Sequence, residues 1–125
     1  MGSSKFMPDG KYKCVNIFGL QTYKSGKDPI AIATDTYPLE VVINGTTIKT
    51  AVGEEGAKLR VTYQGFWTST EKADLFNVNS SSPESIMDIK LPNIELFLVN
   101  KKGEMITART TKTGARNYLY ECKKR

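Results

Sequence analysis

Short stretches in which apolar and polar residues alternate recur along this chain, and turn residues separate them roughly every ten residues. Residues 11–18 show the pattern: Tyr12 and Cys14 fall on one face of an extended segment, and Val15 and Ile17 fall on the other. A period of two residues is typical of a β-strand with one face toward a core. The chain is therefore predicted to be mostly β, with about six to eight short strands.

The clearest hairpin signal is Asn44–Gly45, which stands between the apolar stretches 39–43 and 46–52. Asn-Gly fits the two consecutive positive φ angles of a type I′ turn. We therefore expect the two stretches to pair as antiparallel strands.

One helix start is readable in the second half. Ser82 suits an N-cap, Pro83 suits the first helical position, and Glu84 is an early acidic residue. A helix of about two turns is expected to follow and to end before Pro92, because proline cannot continue it.

A five-stranded barrel with a helix before its fourth strand is the OB arrangement. The predicted fold is therefore a small OB-like barrel with one short helix before the C-terminal strands, and a β-sandwich is the alternative. Residues 11–125 are expected to form a single domain, since 125 residues suit one core. Residues 1–10 are expected to be a flexible N-terminus or a cloning remnant.

Histidine is absent, which removes the usual general base at neutral pH and the commonest metal ligand. No enzymatic activity, catalytic residue, metal site or cofactor is expected. No apolar run is long enough for a membrane-spanning helix, and the first ten residues lack the apolar core of a signal peptide. The predicted location is the cytoplasm, or the host cytoplasm for a viral protein.

The two cysteines, Cys14 and Cys122, each fall in a predicted strand. Free cysteine behaves as a small buried hydrophobe, so the favoured interpretation is a pair of buried free thiols. A disulfide between the first and last strands is the alternative, and spacing alone does not decide between them.

Charge is concentrated at the C-terminal end. Segment 101–125 carries a net charge of +6, whereas the whole chain carries +5. Excess charge of one sign in one segment favours contact with a polyanion or an acidic partner.

Cations interleaved with aromatic rings are typical of surfaces that bind single-stranded nucleic acid, because the cations contact phosphates and the rings stack on bases. Largely sequence-independent binding is the first hypothesis. The expected stacking residues are Trp67, Tyr118 and Tyr120. The expected phosphate contacts are Lys24, Lys27, Arg109, Lys112, Arg116, Lys123, Lys124 and Arg125. The alternative for the two tyrosines is a core face shared with Cys122, and for Trp67 a core position. The alternative for loop 24–27 is a solvated hairpin tip, and for residues 123–125 a frayed, solvated tail.

Two stretches, Tyr-Lys-Ser-Gly-Lys-Asp-Pro at 23–29 and Tyr-Pro-Leu-Glu-Val at 37–41, resemble the front part of small single-stranded-DNA-binding proteins of the filamentous-phage type. The resemblance covers roughly residues 23–43. It implies an OB-like barrel, a homodimer that coats DNA, and a position for Lys24 and Lys27 near the bound strand.

The second hypothesis is a module for protein interaction or assembly, such as a phage structural, inhibitory or adaptor protein. In that case exposed strand edges would pair with a partner and the basic segment would dock an acidic protein surface.

Overall fold

A computed structural model describes residues 4–34, 37–84 and 94–125. These residues form nine β-strands, and every strand pairing is antiparallel. The strands are β1 (Gly10–Tyr23), β2 (Ile30–Ile32), β3 (Leu39–Asn44), β4 (Thr47–Val52), β5 (Leu59–Ser69), β6 (Ala73–Glu84), β7 (Leu96–Asn100), β8 (Glu104–Thr110) and β9 (Gly114–Lys124).

Within this part of the chain, eight strands form a closed barrel in the order β1-β3-β4-β5-β6-β7-β8-β9, and β9 returns to pair with β1. The ninth strand, β2, pairs with residues 19–21 of β1, which lie beyond the part of β1 that pairs with β3. The prediction of a small β-barrel is confirmed. The sheet closes on itself, unlike the two layers of a β-sandwich, and it follows chain order, unlike the five-stranded Greek key of an OB barrel.

The predicted helix after Ser82 is not present among the described residues. Ser82, Pro83 and Glu84 belong to strand β6, where they pair with β5. The rest of that predicted helix falls on residues 85–93, outside the described ranges. Pairing along β5 overrides the local helix-start signal. The described residues contain no helix long and apolar enough to cross a membrane.

The predicted hairpin at Asn44 is confirmed, but its turn lies one residue further along. Asn44 pairs with Thr47, so the two loop residues are Gly45 and Thr46. Only Gly45 has a positive φ, at 59°. One positive φ at the first loop position is typical of a type II′ turn rather than type I′.

Aromatic residues fill one half of the barrel interior. Trp67, Phe76 and Phe97 lie opposite one another on adjacent strands and pack edge to face, with ring centroids 5.0 Å and 6.1 Å apart. The indole nitrogen of Trp67 donates a hydrogen bond to the Gly45 carbonyl at 2.8 Å. This half of the barrel is therefore a packed core.

Residues that precede β1 close the same end. Met7 is 1% exposed and belongs to the core, although it falls within the segment expected to be flexible. Asp74, fully buried in β6, holds this segment in place: its carboxylate accepts hydrogen bonds from the Ser4 hydroxyl at 2.6 Å and from the backbone N–H of Lys5 at 2.8 Å.

A β-bulge in β1 changes which residues face inward. The register with β9 shifts between Asn16 and Phe18, so Ile17 is the extra residue. Before the bulge the even-numbered residues of β1 are buried, and after it the buried residues are Gly19 and Gln21. The amide of Asn16 donates to the carbonyls of Phe18 and Leu119 and so satisfies backbone groups beside the bulge.

The interpretation of the cysteines as free thiols is wrong. Cys14 and Cys122 form a disulfide across the pair of strands that closes the barrel. The two residues are directly opposite in the register, and their Cα atoms are 4.0 Å apart. The 108-residue separation in sequence gave no indication of this proximity.

Removing the disulfide with the paired substitutions Cys14→Ser and Cys122→Ser should lower the free energy of unfolding by about 2–5 kcal/mol, because the bridge restricts a long loop of the unfolded chain. Urea titration followed by circular dichroism measures the change. Reductant should destabilise the wild type to a similar extent and leave the double variant unchanged. A wild-type midpoint insensitive to complete reduction would contradict a stabilising disulfide.

Asp74 should make the protein sensitive to acid. Burial alone would raise the pKa of this carboxyl, but hydrogen bonds from Ser4, Ser69 and the backbone of the N-terminal segment outweigh burial, so the pKa lies below its ordinary value of 3.8. The stabilisation is therefore complete above the unfolded pKa and is lost as pH falls through the folded pKa. Asp74→Asn should cost about 1.5–3 kcal/mol at neutral pH.

The same variant should lose less stability than the wild type between neutral and acidic pH, as measured by thermal melts across that range. Asp28→Asn, at an exposed loop position, is the matched control and should behave as the wild type. If the thermal midpoints of Asp74→Asn and the wild type fell equally between neutral and acidic pH, Asp74 would not be the source of the acid sensitivity.

Candidate functional site

The end of the barrel opposite the N-terminal segment has a pocket in its mouth. The pocket has a volume of about 290 Å³. Residues of β3, β4, β5, β8 and β9 contribute to its wall. The residues that line it are Leu39, Thr50, Val52, Leu59, Val61, Tyr63, Ile94, Thr107, Ala108, Arg109, Tyr118 and Tyr120.

The interior is apolar toward the base of the pocket and carries a few fixed hydroxyl groups. Tyr63, 2% exposed, hydrogen-bonds the Thr50 side chain and the backbone of Ile94. Burial raises the pKa of the Tyr63 phenol, and those hydrogen bonds and Arg109 oppose the rise. Tyr63 is therefore a neutral hydroxyl at physiological pH.

Arg109 faces the interior because it follows Met105 and Thr107, both buried, at two-residue spacing along β8. Burial lowers the pKa of its guanidinium, and the neighbouring charge of Arg116 lowers it further. A hydrogen bond with Tyr118 opposes the shift. Arginine stays protonated in proteins despite such shifts, so a full positive charge sits at the mouth.

Arg116 faces the same way on β9, directly opposite Arg109. Its Nε donates a hydrogen bond of 2.7 Å to Oε1 of Gln21, which is its cross-strand partner on β1. Gln21 is 6% exposed, and its own amide nitrogen donates to the Thr22 carbonyl at 2.8 Å. Both ends of this glutamine amide are occupied, so it orients Arg116.

The structure places the three predicted stacking residues inside the barrel. Tyr120 is buried, and Tyr118 is partly buried against the core beside Gly19, where a Cβ would come within 2.9 Å of the Tyr118 ring. The alternative of a core face shared by Tyr118, Tyr120 and Cys122 therefore describes their position. Trp67 lies in the aromatic core, where it has no face free for a nucleic-acid base.

Besides Arg109 and Arg116, three more of the predicted phosphate contacts lie around the mouth. Lys24 and Lys27 are on the loop after β1, and Lys112 is in the turn between β8 and β9. The backbone N–H of Lys24 donates to the Thr113 carbonyl at 2.7 Å, which joins the loop to the turn. Together with Arg109 and Arg116, these lysines make the mouth basic.

The last three predicted contacts, Lys123, Lys124 and Arg125, lie elsewhere. They pair with the start of β1, and Arg125 forms an ion pair with Glu40 at 2.8 Å on the outer face. A cleft of about 470 Å³ on that outer face is lined in part by four cations that sequence analysis did not select, which are Lys11, Lys49, Lys58 and Arg60.

The mouth also contains residues that sequence analysis missed. Gln21, Tyr63 and Thr107 face the interior, although a polar side chain in a strand pattern is ordinarily assigned to the outside. For Tyr63 and Thr107, the alternation with neighbouring residues was a usable signal. For Gln21 no local signal existed, because the bulge at Ile17 sets its orientation.

The outer surface has an apolar row on the opposite side from the outer cleft. Its members are neighbours across five adjacent strands and are partly or largely exposed: Phe18, Leu119, Ile106, Leu98 and Leu75. Phe18 is 47% exposed and Ile106 37%. Such rows are found at protein interfaces, and the expected homodimer stays a prediction.

Comparison of the chain with protein-family models, with curated proteins and with solved structures finds no match. Among the described residues, no group of three or more cysteine and carboxylate side chains is arranged to hold a metal ion. The function is therefore inferred from the geometry of the mouth.

Proposed function

We propose that this protein is a non-enzymatic binder of a small, largely apolar molecule, which it takes into the mouth of the barrel. The observation that carries the proposal is the pocket of about 290 Å³ over the aromatic core. Eight-stranded barrels have an interior just wide enough to be filled by side chains or to hold one small ligand. In this barrel, aromatic side chains fill one half of the interior. The pocket in the other half favours the second possibility, a small bound ligand.

The size and lining of the pocket fit a small ligand. Its volume is near the lower end of the roughly 300–1,000 Å³ usual for ligand pockets. Leu39, Val61 and Leu59 offer apolar contact, while the hydroxyls of Tyr63 and Thr107 give a few oriented polar groups. A mostly apolar cavity with few placed polar groups is the usual composition of such sites.

The neutral dye N-phenyl-1-naphthylamine should bind the wild type with a rise in its fluorescence. Val52→Trp should weaken binding about tenfold or more, equal to about 1.4 kcal/mol, because the larger ring occupies the pocket in which Val52 lies. Fluorescence titration measures both affinities.

Val42→Trp is the matched control, since Val42 is also a half-buried strand valine but alternation places it on the outside of β3. This control should bind the dye as the wild type does, and circular dichroism should show both variants folded. Absence of dye binding by the wild type, or equal loss in the two variants, would overturn the proposal.

Single-stranded nucleic acid binding is a second candidate. The observation that favours it is the grouping of Lys24, Lys27 and Lys112 around one end of the barrel, where the loop and the turn are hydrogen-bonded. An oligonucleotide would then follow the rim through its phosphates, with Tyr23, whose ring centroid lies 5.1 Å from Nζ of Lys27, as the ring beside these lysines. The buried positions of Trp67 and Tyr120 make this candidate weaker than the small ligand.

If the rim binds nucleic acid, the triple variant Lys24→Gln, Lys27→Gln, Lys112→Gln should reduce the slope of log affinity against log salt by about 2, since each lost phosphate contact on a single strand removes about 0.7 of a unit. Fluorescence anisotropy with a labelled oligo-dT at several salt concentrations measures the slope. The control removes three exposed cations elsewhere, Lys101, Lys102 and Lys123. No binding at low salt, or equal effects of the two triple variants, would exclude the rim.

For location, we propose an oxidising compartment in place of the cytoplasm expected from the sequence. Structural disulfides persist in oxidising environments and are rare in the reducing cytosol. The Cys14–Cys122 bridge across the barrel closure supports this proposal.

A further inference from the structure

Two arginines lie side by side at the mouth with like charges. Arg109 and Arg116 are directly opposed on β8 and β9, and both face the interior. Directly opposed residues in an antiparallel pair have Cβ atoms about 4.5–5.5 Å apart, and like charges at such positions destabilise the sheet. The folded protein therefore bears an electrostatic cost at this position.

No acidic side chain among the described residues offsets that cost. The ion pairs in this part of the chain join Lys58 to Glu40 and Glu55, and Arg125 to Glu40. Arg109 and Arg116 instead contact neutral groups, the phenol of Tyr118 and the amide of Gln21.

Glu95 follows the pocket residue Ile94 in sequence, but its carboxylate does not pair with either arginine. Both of its oxygens accept hydrogen bonds from Thr110, one from the hydroxyl at 2.6 Å and one from the backbone N–H at 3.1 Å. Thr110 follows Arg109 in β8 and therefore points to the outside of the barrel. This carboxylate is thus committed to the outer face.

The arrangement differs from that of two arginines that merely extend into water. Long cationic side chains at a rim usually keep their charged end solvated and mobile. Here buried Gln21 is fixed by its bond to Thr22 and presents its oxygen to Arg116, while the phenol of Tyr118 lies beside Arg109. The guanidinium group of Arg116 is therefore oriented before any ligand arrives, and the apolar pocket lies next to Arg109.

We propose that Arg109 and Arg116 form an oxyanion site that binds the carboxylate or phosphate head group of an amphiphilic ligand, whose apolar body occupies the pocket. This inference rests on the proposed function. Planar guanidinium groups bind carboxylates and phosphates through paired, charge-assisted hydrogen bonds. One anion between them removes the repulsion and completes the hydrogen bonding of both groups.

Displacement of N-phenyl-1-naphthylamine by three eight-carbon competitors tests the site: octanoate, octyl phosphate and octanol. The three share an apolar chain and differ in the head group. On the wild type, at least one anion should compete about tenfold or more better than octanol. The anion that competes better identifies the head group as carboxylate or phosphate.

The substitutions Arg109→Met and Arg116→Met should each abolish most of this anion advantage and leave octanol competition unchanged within about twofold. Arg109→Met should also raise the thermal midpoint of the ligand-free protein slightly, because it removes half of a like-charge pair. Arg116→Met should not, because it also leaves the buried oxygen of Gln21 without its hydrogen-bond donor. Arg60→Met is the matched control: it removes the same charge from an exposed position on the outer face of β5 and should keep the anion advantage.

The outcomes separate the two proposals. Equal competition by octanol and both anions, while the dye still binds, overturns the oxyanion site and leaves the proposed function standing. A wild type that does not bind the dye overturns the proposed function and this inference with it. Loss of the anion advantage in Arg60→Met to the same extent as in Arg109→Met would assign the effect to net charge and also overturn the site.

Discussion

The closure of the barrel between β1 and β9 is the interaction on which the rest of the structure depends. These two strands are paired from Tyr12–Lys124 to Tyr23–Gly114, and the Cys14–Cys122 disulfide lies within the pairing. Closure removes the free sheet edges that would otherwise expose unpaired backbone groups. It also joins the two ends of the chain, so that residues about a hundred positions apart form one wall of the interior.

The β-bulge at Ile17 connects this closure to the candidate site. Without the extra residue, the alternation that buries Tyr12 and Cys14 would turn Gln21 outward. With it, Gln21 faces the interior and accepts a hydrogen bond from Arg116. Ile17 and Phe18 then both face outward, and they contribute to the apolar outer surface. A single irregularity in one strand thus affects both the interior of the mouth and the outside of the barrel.

The basic segment 101–125 illustrates how a sheet divides a charge cluster. Its cations were expected to act together, but strand alternation and strand length separate them. Arg109 and Arg116 face the interior of the mouth, whereas Arg125 lies on the outer face in an ion pair with Glu40. Placing two cations beside an apolar pocket is unfavourable for folding alone. The covalent closure and the aromatic core provide stability that tolerates such a site, in line with the common conflict between stability and function.

The sequence by itself determined the mostly β character, the hairpin at Asn44 and most strand positions, because these follow from local alternation and from the turn preferences of glycine and asparagine. It also indicated Arg109, Arg116 and Tyr118 as functional candidates, because cations and aromatic rings are interleaved in segment 101–125. Only the tertiary structure decided the barrel closure, the disulfide, the strand at Ser82 and the inward direction of Gln21. Each of these depends on pairing between residues far apart in the chain, and local patterns carry no information about which distant strand will be the partner.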